Sequence, residues 1–451
     1  MIKKYFQEIR KILIIGLPIL GSQSSYMLMG VTDTIVAGRA NTTDLAALAV
    51  GNAIYSPLWF ALSGILFAVT PIVAQLYGAR DFYEIGNKIR QILWLSCGIG
   101  ILLMIILLNI GPIFQIMPIE SEVSNITINY LKAISIGALS MSIFTCLRCF
   151  SEGMTLTMPV FFIAFSGMLL NIPLDIILVN GLYGFPKLGG VGCGIATSVV
   201  SLFMTISMIT LIIFSKHYKK VKLFNKFTFT TAKTFFEFFK LGTPIGFGIF
   251  IELSMFSGAA IIISALGKDI LASHTVAINI TSLFFMLPLA FGLATATRVG
   301  NLIGEKDLSQ AKFSSKASML LCSIIALLTT FVIFNFRNDL VALFTTDAVV
   351  ISLGASLLIF AAIFQLPDAV QISAVGSLRG FKDTFAPMIL ILISYWIIAL
   401  PLGYAMTFGL IGDPQGAQGM WIGMIIGLSV FCLLGILRLN YVIKKYLIST
   451  V

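Results

Sequence analysis

Long apolar runs follow one another along the whole chain, separated by short clusters of charged residues, Gly and Pro. Crossing about 30 Å of hydrocarbon as a helix takes roughly 20 apolar residues. Broken at the polar clusters, the runs predict twelve such helices, over residues 12–36, 46–77, 91–116, 128–151, 159–181, 189–214, 239–266, 271–303, 317–336, 350–377, 386–411 and 416–438. A membrane barrel would instead show short segments of alternating polarity. Lys3, Lys4, Arg10 and Lys11 precede the first run, but that run is too long for a signal peptide and lacks a small-residue cleavage site, so it reads as the first helix. The predicted fold is an all-α integral membrane protein with twelve transmembrane helices.

Composition sharpens this. Hydrophobic residues make up 58% of the 451 residues, charged ones 11%, and mean hydropathy is +1.01. Soluble domains carry about 25% charged residues, so a soluble enzyme and a disordered chain are both excluded. The net charge of +10 does not point to nucleic acid as a partner, because its distribution is that of a membrane protein. With the N-terminus inside, 24 of the 29 Lys and Arg fall on inner segments and five (Arg39, Lys132, Lys187, Lys268, Arg337) on outer ones. This bias predicts a multi-pass protein with both termini cytoplasmic. The basic stretch 216–240 reads as an inner linker that sets topology and touches lipid headgroups. Cys146 and Cys149 form a CxxC inside an apolar run, which reads as buried packing thiols.

The two halves of the chain resemble each other at a nearly constant offset. Pro18 in GLPI pairs with Pro244 in GTPI, Leu45 with Leu271, and Gly78 and Asp81 in GARD with Gly304 and Asp307 in GEKD, all 226 residues apart. Six helices per repeat is an even number, so the halves share one orientation and form a parallel repeat. The predicted organisation is a six-helix lobe over 1–215, a linker over 216–238 and a second six-helix lobe over 239–451, the arrangement of a carrier that alternates between two open states.

Four of the nineteen carboxylates sit deep within predicted spans: Asp33, Asp175, Glu252 and Asp368. An ionisable group there is costly and marks function by default. With no Lys or Arg expected at the same depth, each acid must carry a proton, bind a cation or face water. Asn171 and Asp175 are four apart and share a helix face, with Pro173 between them to free a backbone carbonyl. Oxygens of this kind suit a hard cation or a proton shared by two acids. Glu252 and Asp368 offer a second, non-identical candidate in the other half. Small residues such as Gly194 and Ala196 are expected to permit close helix packing.

At these residues the chain resembles the multidrug and toxic compound extrusion family, in its NorM-type branch. The resemblance is carried by LPILGSQSSYMLMGVTDTIVAGR, SEGMTLTMP, NIPLDIILVNG, LGGVGCGIATS, GTPIGFGIFIE and SLRGFKDTFAPM, in order across nearly the whole chain. It implies an antiporter of the inner membrane that exports cationic or amphiphilic aromatic drugs in exchange for sodium ions or protons. It also implies an N-lobe coupling site of Asp33, Asn171, Asp175 and Thr197, and a C-lobe cation site of Glu252 and Asp368 that would bind sodium. Phe364, one turn before Asp368, brings no hydroxyl, so any further ligand oxygen must come from elsewhere. No cofactor is expected beyond the coupling ion, and the partners are small-molecule drugs and membrane lipid, for a monomer that binds no nucleic acid. The alternative is a lipid-linked precursor flippase of the same superfamily, whose cavity would need Arg for a pyrophosphate; Arg148 is the one candidate. An intramembrane enzyme is disfavoured by the lack of HExxH and GxSxG and by a total of two His, and an ATP-driven pump by the lack of a P-loop.

Overall fold

The computed structural model describes residues 2–116 and 119–449. Twelve helices are long and apolar enough to cross a membrane: α1 (Lys3–Ala40), α2 (Thr42–Gly78), α3 (Phe82–Phe114), α4 (Ser121–Gly153), α5 (Met158–Asn180), α6 (Gly190–Phe214), α7 (Ala232–Ser264), α8 (Lys268–Gly304), α9 (Leu308–Ala342), α10 (Ala348–Gly380), α11 (Phe385–Thr407) and α12 (Ala417–Ile448). No strand occurs among the described residues. All twelve expected helices are present, and most extend further than their apolar runs. Helix α9, expected over 317–336, begins instead after Asp307, which caps it by accepting a hydrogen bond from the Gln310 amide at 2.9 Å. Hydropathy marks the part of a helix inside the hydrocarbon, whereas caps mark its ends.

The repeated GARD and GEKD motifs acquire a structural reason. Arg80 and Lys306 adopt left-handed φ values of 59° and 62°. The amides of Asp81 and Asp307 then bond back to the carbonyls of Leu76 and Leu302, at 3.0 and 2.9 Å. This six-to-one bond closes a helix C-terminus. Lys382, at φ 58°, repeats the turn in GFKD, where Asp383 N bonds to Leu378 O at 2.9 Å. Each of these turns places a basic side chain at the negative end of a helix dipole, and the following Asp81 or Asp307 caps the next helix.

Packing divides the chain into two compact units. One comprises Gly21–Gly246; the other comprises the chain up to Leu20 and from Phe247 onward. The boundaries expected at 215 and 239 follow chain order, and the packing departs from them symmetrically. The break in α1 comes two residues after Pro18 and that in α7 two residues after Pro244, so the repeat's paired prolines mark both points. The first half of α1 packs Ile12, Ile15 and Ile19 against Ala290, Phe291 and Leu321. Its Glu8 accepts from Arg298 Nε at 2.7 Å and from Gln310 Nε2 at 2.9 Å. The first half of α7 does the same in the unit around α2 and α3: Glu237 pairs with Lys88 at 2.6 Å, and Gly242 and Gly246 let α7 lie against the Ile65 and Ala61 carbonyls. The segment expected as a free linker is therefore shorter, ending where α7 starts at Ala232.

Within the Gly21–Gly246 unit, α4 is central, packed by α2, α3 and α6. A Cβ added at Gly194 would stand 2.9 Å from the Tyr130 carbonyl oxygen, which is the close α4–α6 approach expected of that residue. In the other unit α10 is central, packed by α8, α9 and α12, and Gly376 meets Gly292 backbone to backbone.

Candidate functional site

Asp33, on the second half of α1, is 7% exposed, and Asp175, on α5, is 0% exposed. Their surroundings are built by three helices of one unit. Asn171 Nδ2 donates to Asp33 Oδ1 at 3.3 Å, and Thr197 Oγ1 of α6 donates to Asp33 Oδ2 at 3.2 Å. Cys193 Sγ, one turn before Thr197, lies 3.6 Å from the Asp33 carbonyl oxygen. The structure thus gathers all four expected residues, Asp33, Asn171, Asp175 and Thr197, in one place. Tyr130 of α4 borders the acids, and its hydroxyl donates to Asn52 Oδ1 at 3.0 Å.

The two acids are not equivalent. Asp33 has two donors. Both carboxyl oxygens of Asp175 lack a hydrogen-bond donor, as does Asn171 Oδ1. The neighbour of Asp175 is the Asp33 carboxyl itself. Two ionised carboxylates cannot bond to each other; a proton on one supplies the missing donor. A cation between them would serve the same oxygens. A carboxyl pair left as an empty dianion would be costly in a low-dielectric interior.

In the other unit, Asp368 of α10 is 4% exposed and accepts from Gln371 Nε2 at 3.2 Å, three residues along the same helix. Glu252 of α7 is half-buried and is the electrostatic neighbour of Asp368 and of Arg379. Phe364 is buried among Phe256 and Trp421, with ring centroids 6.4 and 6.2 Å away. A hydroxyl arrives from a different helix. Residues Leu392–Ala399 of α11 form a π-helical stretch, a distortion frequent at functional sites. It carries the fully buried Tyr395 within electrostatic reach of both acids. Trp396 Nε1 pins the same stretch to α7 through Ser254 Oγ at 3.2 Å. Among the described residues no three His, Cys, Asp or Glu side chains converge as metal ligands, so a cation held here would draw on Tyr395, Gln371 or backbone oxygen in addition to the two acids.

One expectation needs correction. A basic residue does stand in the electrostatic neighbourhood of one of the four acids, since Arg379 neighbours Glu252. A further buried pair lies elsewhere. Arg148 and Glu152 of α4 are both buried, with their charged groups 3.9 Å apart, and Arg148 lies over the Tyr26 and Phe67 rings at 5.7 and 5.5 Å. Glu8, Asp44 and Glu152 are buried as well, each near the end of its helix, where the sequence places acids outside the deep set. The Arg148–Glu152 spacing of four is a helix-face signal legible in the chain. Tyr395 gave no such signal, because its nearness to the acids comes from a helix far along the chain from Glu252.

The MatE family model matches residues 18–177 and again 244–405, so each match opens on one of the paired prolines. The chain is 39% identical to the multidrug resistance protein NorM of Photobacterium profundum, over 97% of this chain and 96% of that one. It is 37% identical to the protein of the same name from Vibrio cholerae, over 98% and 97%. Among solved structures, one described as MATE in the bent conformation superposes with a TM-score of 0.90 at 20% identity, covering 99% of both chains.

Proposed function

Because the chain belongs to the MatE family, we propose that it is a multidrug exporter, a secondary antiporter that moves cationic or amphiphilic drugs out of the cell in exchange for protons or sodium ions. The names of its relatives support the multidrug class. The observation that carries the coupling is the Asp33–Asp175 pair, with one acid satisfied by Asn171 and Thr197 and the other lacking any donor.

Exchange follows from electrostatics. A drug cation and a proton compete for the same single charge, so each favours a different occupancy of the pair. A ligand shifts a conformational equilibrium only by its differential affinity for the two states. Glu252 and Asp368 are the proposed sodium-responsive acids of the second unit, with the Tyr395 hydroxyl in place of the one that Phe364 lacks. The basic segments, including 216–240, face the cytoplasm, as do both termini. The flippase alternative requires free Arg for a pyrophosphate, and Arg148 is already engaged by Glu152 and two rings.

The test is dye efflux by everted membrane vesicles, driven in turn by a proton gradient and by a sodium gradient. Either gradient should drive export above the ungated leak. Export that needs neither gradient rejects the antiport reading.

A further inference from the structure

The segment between α6 and α7 is not a slack tether. Tyr218, Val221 and Leu223 are buried, and the Tyr218 hydroxyl is 2.5 Å from Ser151 Oγ at the end of α4. Arg90 of α3 donates through Nη1 to the carbonyls of Lys222 and Leu223, at 3.2 and 3.3 Å, and through Nε to Thr228 Oγ1 at 3.2 Å. Gln91 Oε1 accepts from the Thr231 amide at 3.0 Å, and the Gln91 carbonyl accepts from Thr230 Oγ1 at 2.8 Å. Both strap ends and its middle are thereby tied to one unit, across the first turns of α3.

What this strap turns outward is chemically uniform. Lys216, Lys219, Lys220, Lys222 and Lys226 are all exposed, and residues 216–231 contain no Asp or Glu. Beside them stand Phe227 and Phe229, 71% and 68% exposed, packed on the partly exposed Trp94 with ring centroids at 5.3 and 5.5 Å. Trp94 lies just where the apolar run of α3 begins, with Lys88 and Arg90 immediately before it. Exposed Phe beside Trp is unfavourable against water but suits the headgroup level of a bilayer. Five exposed lysines on a tied-down segment without acids complement a negatively charged surface.

We propose that residues 216–231, with Trp94, form a preorganised binding surface for anionic phospholipid headgroups, in which the aromatic trio enters the interface and the lysines hold headgroup phosphates. Holding the strap through Arg90 and Gln91 removes most of the ordering cost of binding. The proposal needs only that the protein is embedded in a bilayer. In the orientation proposed above the surface is the cytoplasmic leaflet, but vesicles with both leaflets alike make the test independent of that and of the coupling ion.

The full chain is reconstituted into phosphatidylcholine vesicles containing a small fraction of spin-labelled lipid, either phosphatidylglycerol or phosphatidylcholine. The difference between wild-type and Trp94→Phe fluorescence isolates Trp94. Quenching of Trp94 should be stronger with the labelled anionic lipid, by an apparent preference of about tenfold. That preference should collapse at high salt, and in a variant with Lys216, Lys219, Lys220, Lys222 and Lys226 all changed to Gln. These side chains are exposed, so the variant should fold, and unchanged near-UV circular dichroism checks it. Equal quenching by the two lipids, no quenching by either, or a preference that survives loss of the lysines overturns the proposal.

Discussion

The two acid pairs stand at different positions of the two repeats and are built differently. Asp33 and Asp175 are enclosed; Asp33 takes donors from α5 and α6, and Asp175 has none. In the other pair Glu252 is half-buried and Asp368 buried; Asp368 is served from its own helix by Gln371, and Arg379 is an electrostatic neighbour of Glu252. A closed pair with one missing donor is suited to a proton or to a single cationic charge. A pair with a basic neighbour, a nearby hydroxyl and an amide is offered a different set of partners. The two repeats share their helices but not these acids: at the repeat offset Asp33 corresponds to Ala259, and Glu252 to Tyr26.

The largest effect expected from breaking this contrast is at Asp33. Asp33→Asn should reduce dye efflux to background while leaving yield and thermal stability equal or higher, because an acid without a basic partner costs stability in the fold. Normal efflux by Asp33→Asn vesicles would falsify the assignment. Next in size is the mutual effect of sodium and drug. Sodium should weaken drug affinity, and drug should weaken sodium affinity by the same factor, of about 5- to 150-fold. Glu252→Gln and Asp368→Asn should each abolish this reciprocity while retaining drug binding. Drug titrations with and without sodium measure it, and a sodium effect intact in both variants removes the second pair from coupling.

A smaller change is expected at Thr197. Thr197→Val deletes one donor to Asp33, worth about 0.5–1.5 kcal/mol, so drug affinity should change a few-fold and sodium reciprocity should stay. A loss as complete as that of Asp33→Asn would mean that Thr197 does more than orient the acid. The smallest effect belongs to Tyr395→Phe, which removes a hydroxyl and keeps the ring's packing. Sodium affinity should fall by about threefold, the lower end of one hydrogen bond, with drug affinity in sodium-free buffer unchanged. Equal sodium affinity in the variant and wild type would assign Tyr395 to packing alone.

Much of the candidate site was legible in the chain because burying a charge in hydrocarbon is costly wherever it occurs. Asp33, Asp175, Glu252 and Asp368 stand out inside apolar runs without any knowledge of their neighbours. Asn171 followed from its spacing to Asp175. Thr197 could be tied to Asp33, 164 residues away, only through family resemblance, and Tyr395 was not legible at all. The Arg148–Glu152 pair was present as an i, i+4 spacing, but its burial against Tyr26 and Phe67 depends on how α1, α2 and α4 meet.

The sequence by itself determined the twelve membrane helices, their repeat and the four deep acids. Membrane insertion depends on local hydropathy, and one segment's transfer free energy needs no partner helix. It also determined the turns after Gly78, Gly304 and Gly380, since a helix C-terminus is closed by residues within one turn. Only the tertiary structure decided that the first halves of α1 and α7 leave their own repeats at Pro18 and Pro244, that 216–231 is a strap tied to α3, and that Asp175 is left without a donor while Asp33 has two. These outcomes depend on which helix faces meet, and that choice is made by side-chain packing and polar pairing between residues more than a hundred positions apart, to which a hydropathy pattern is blind.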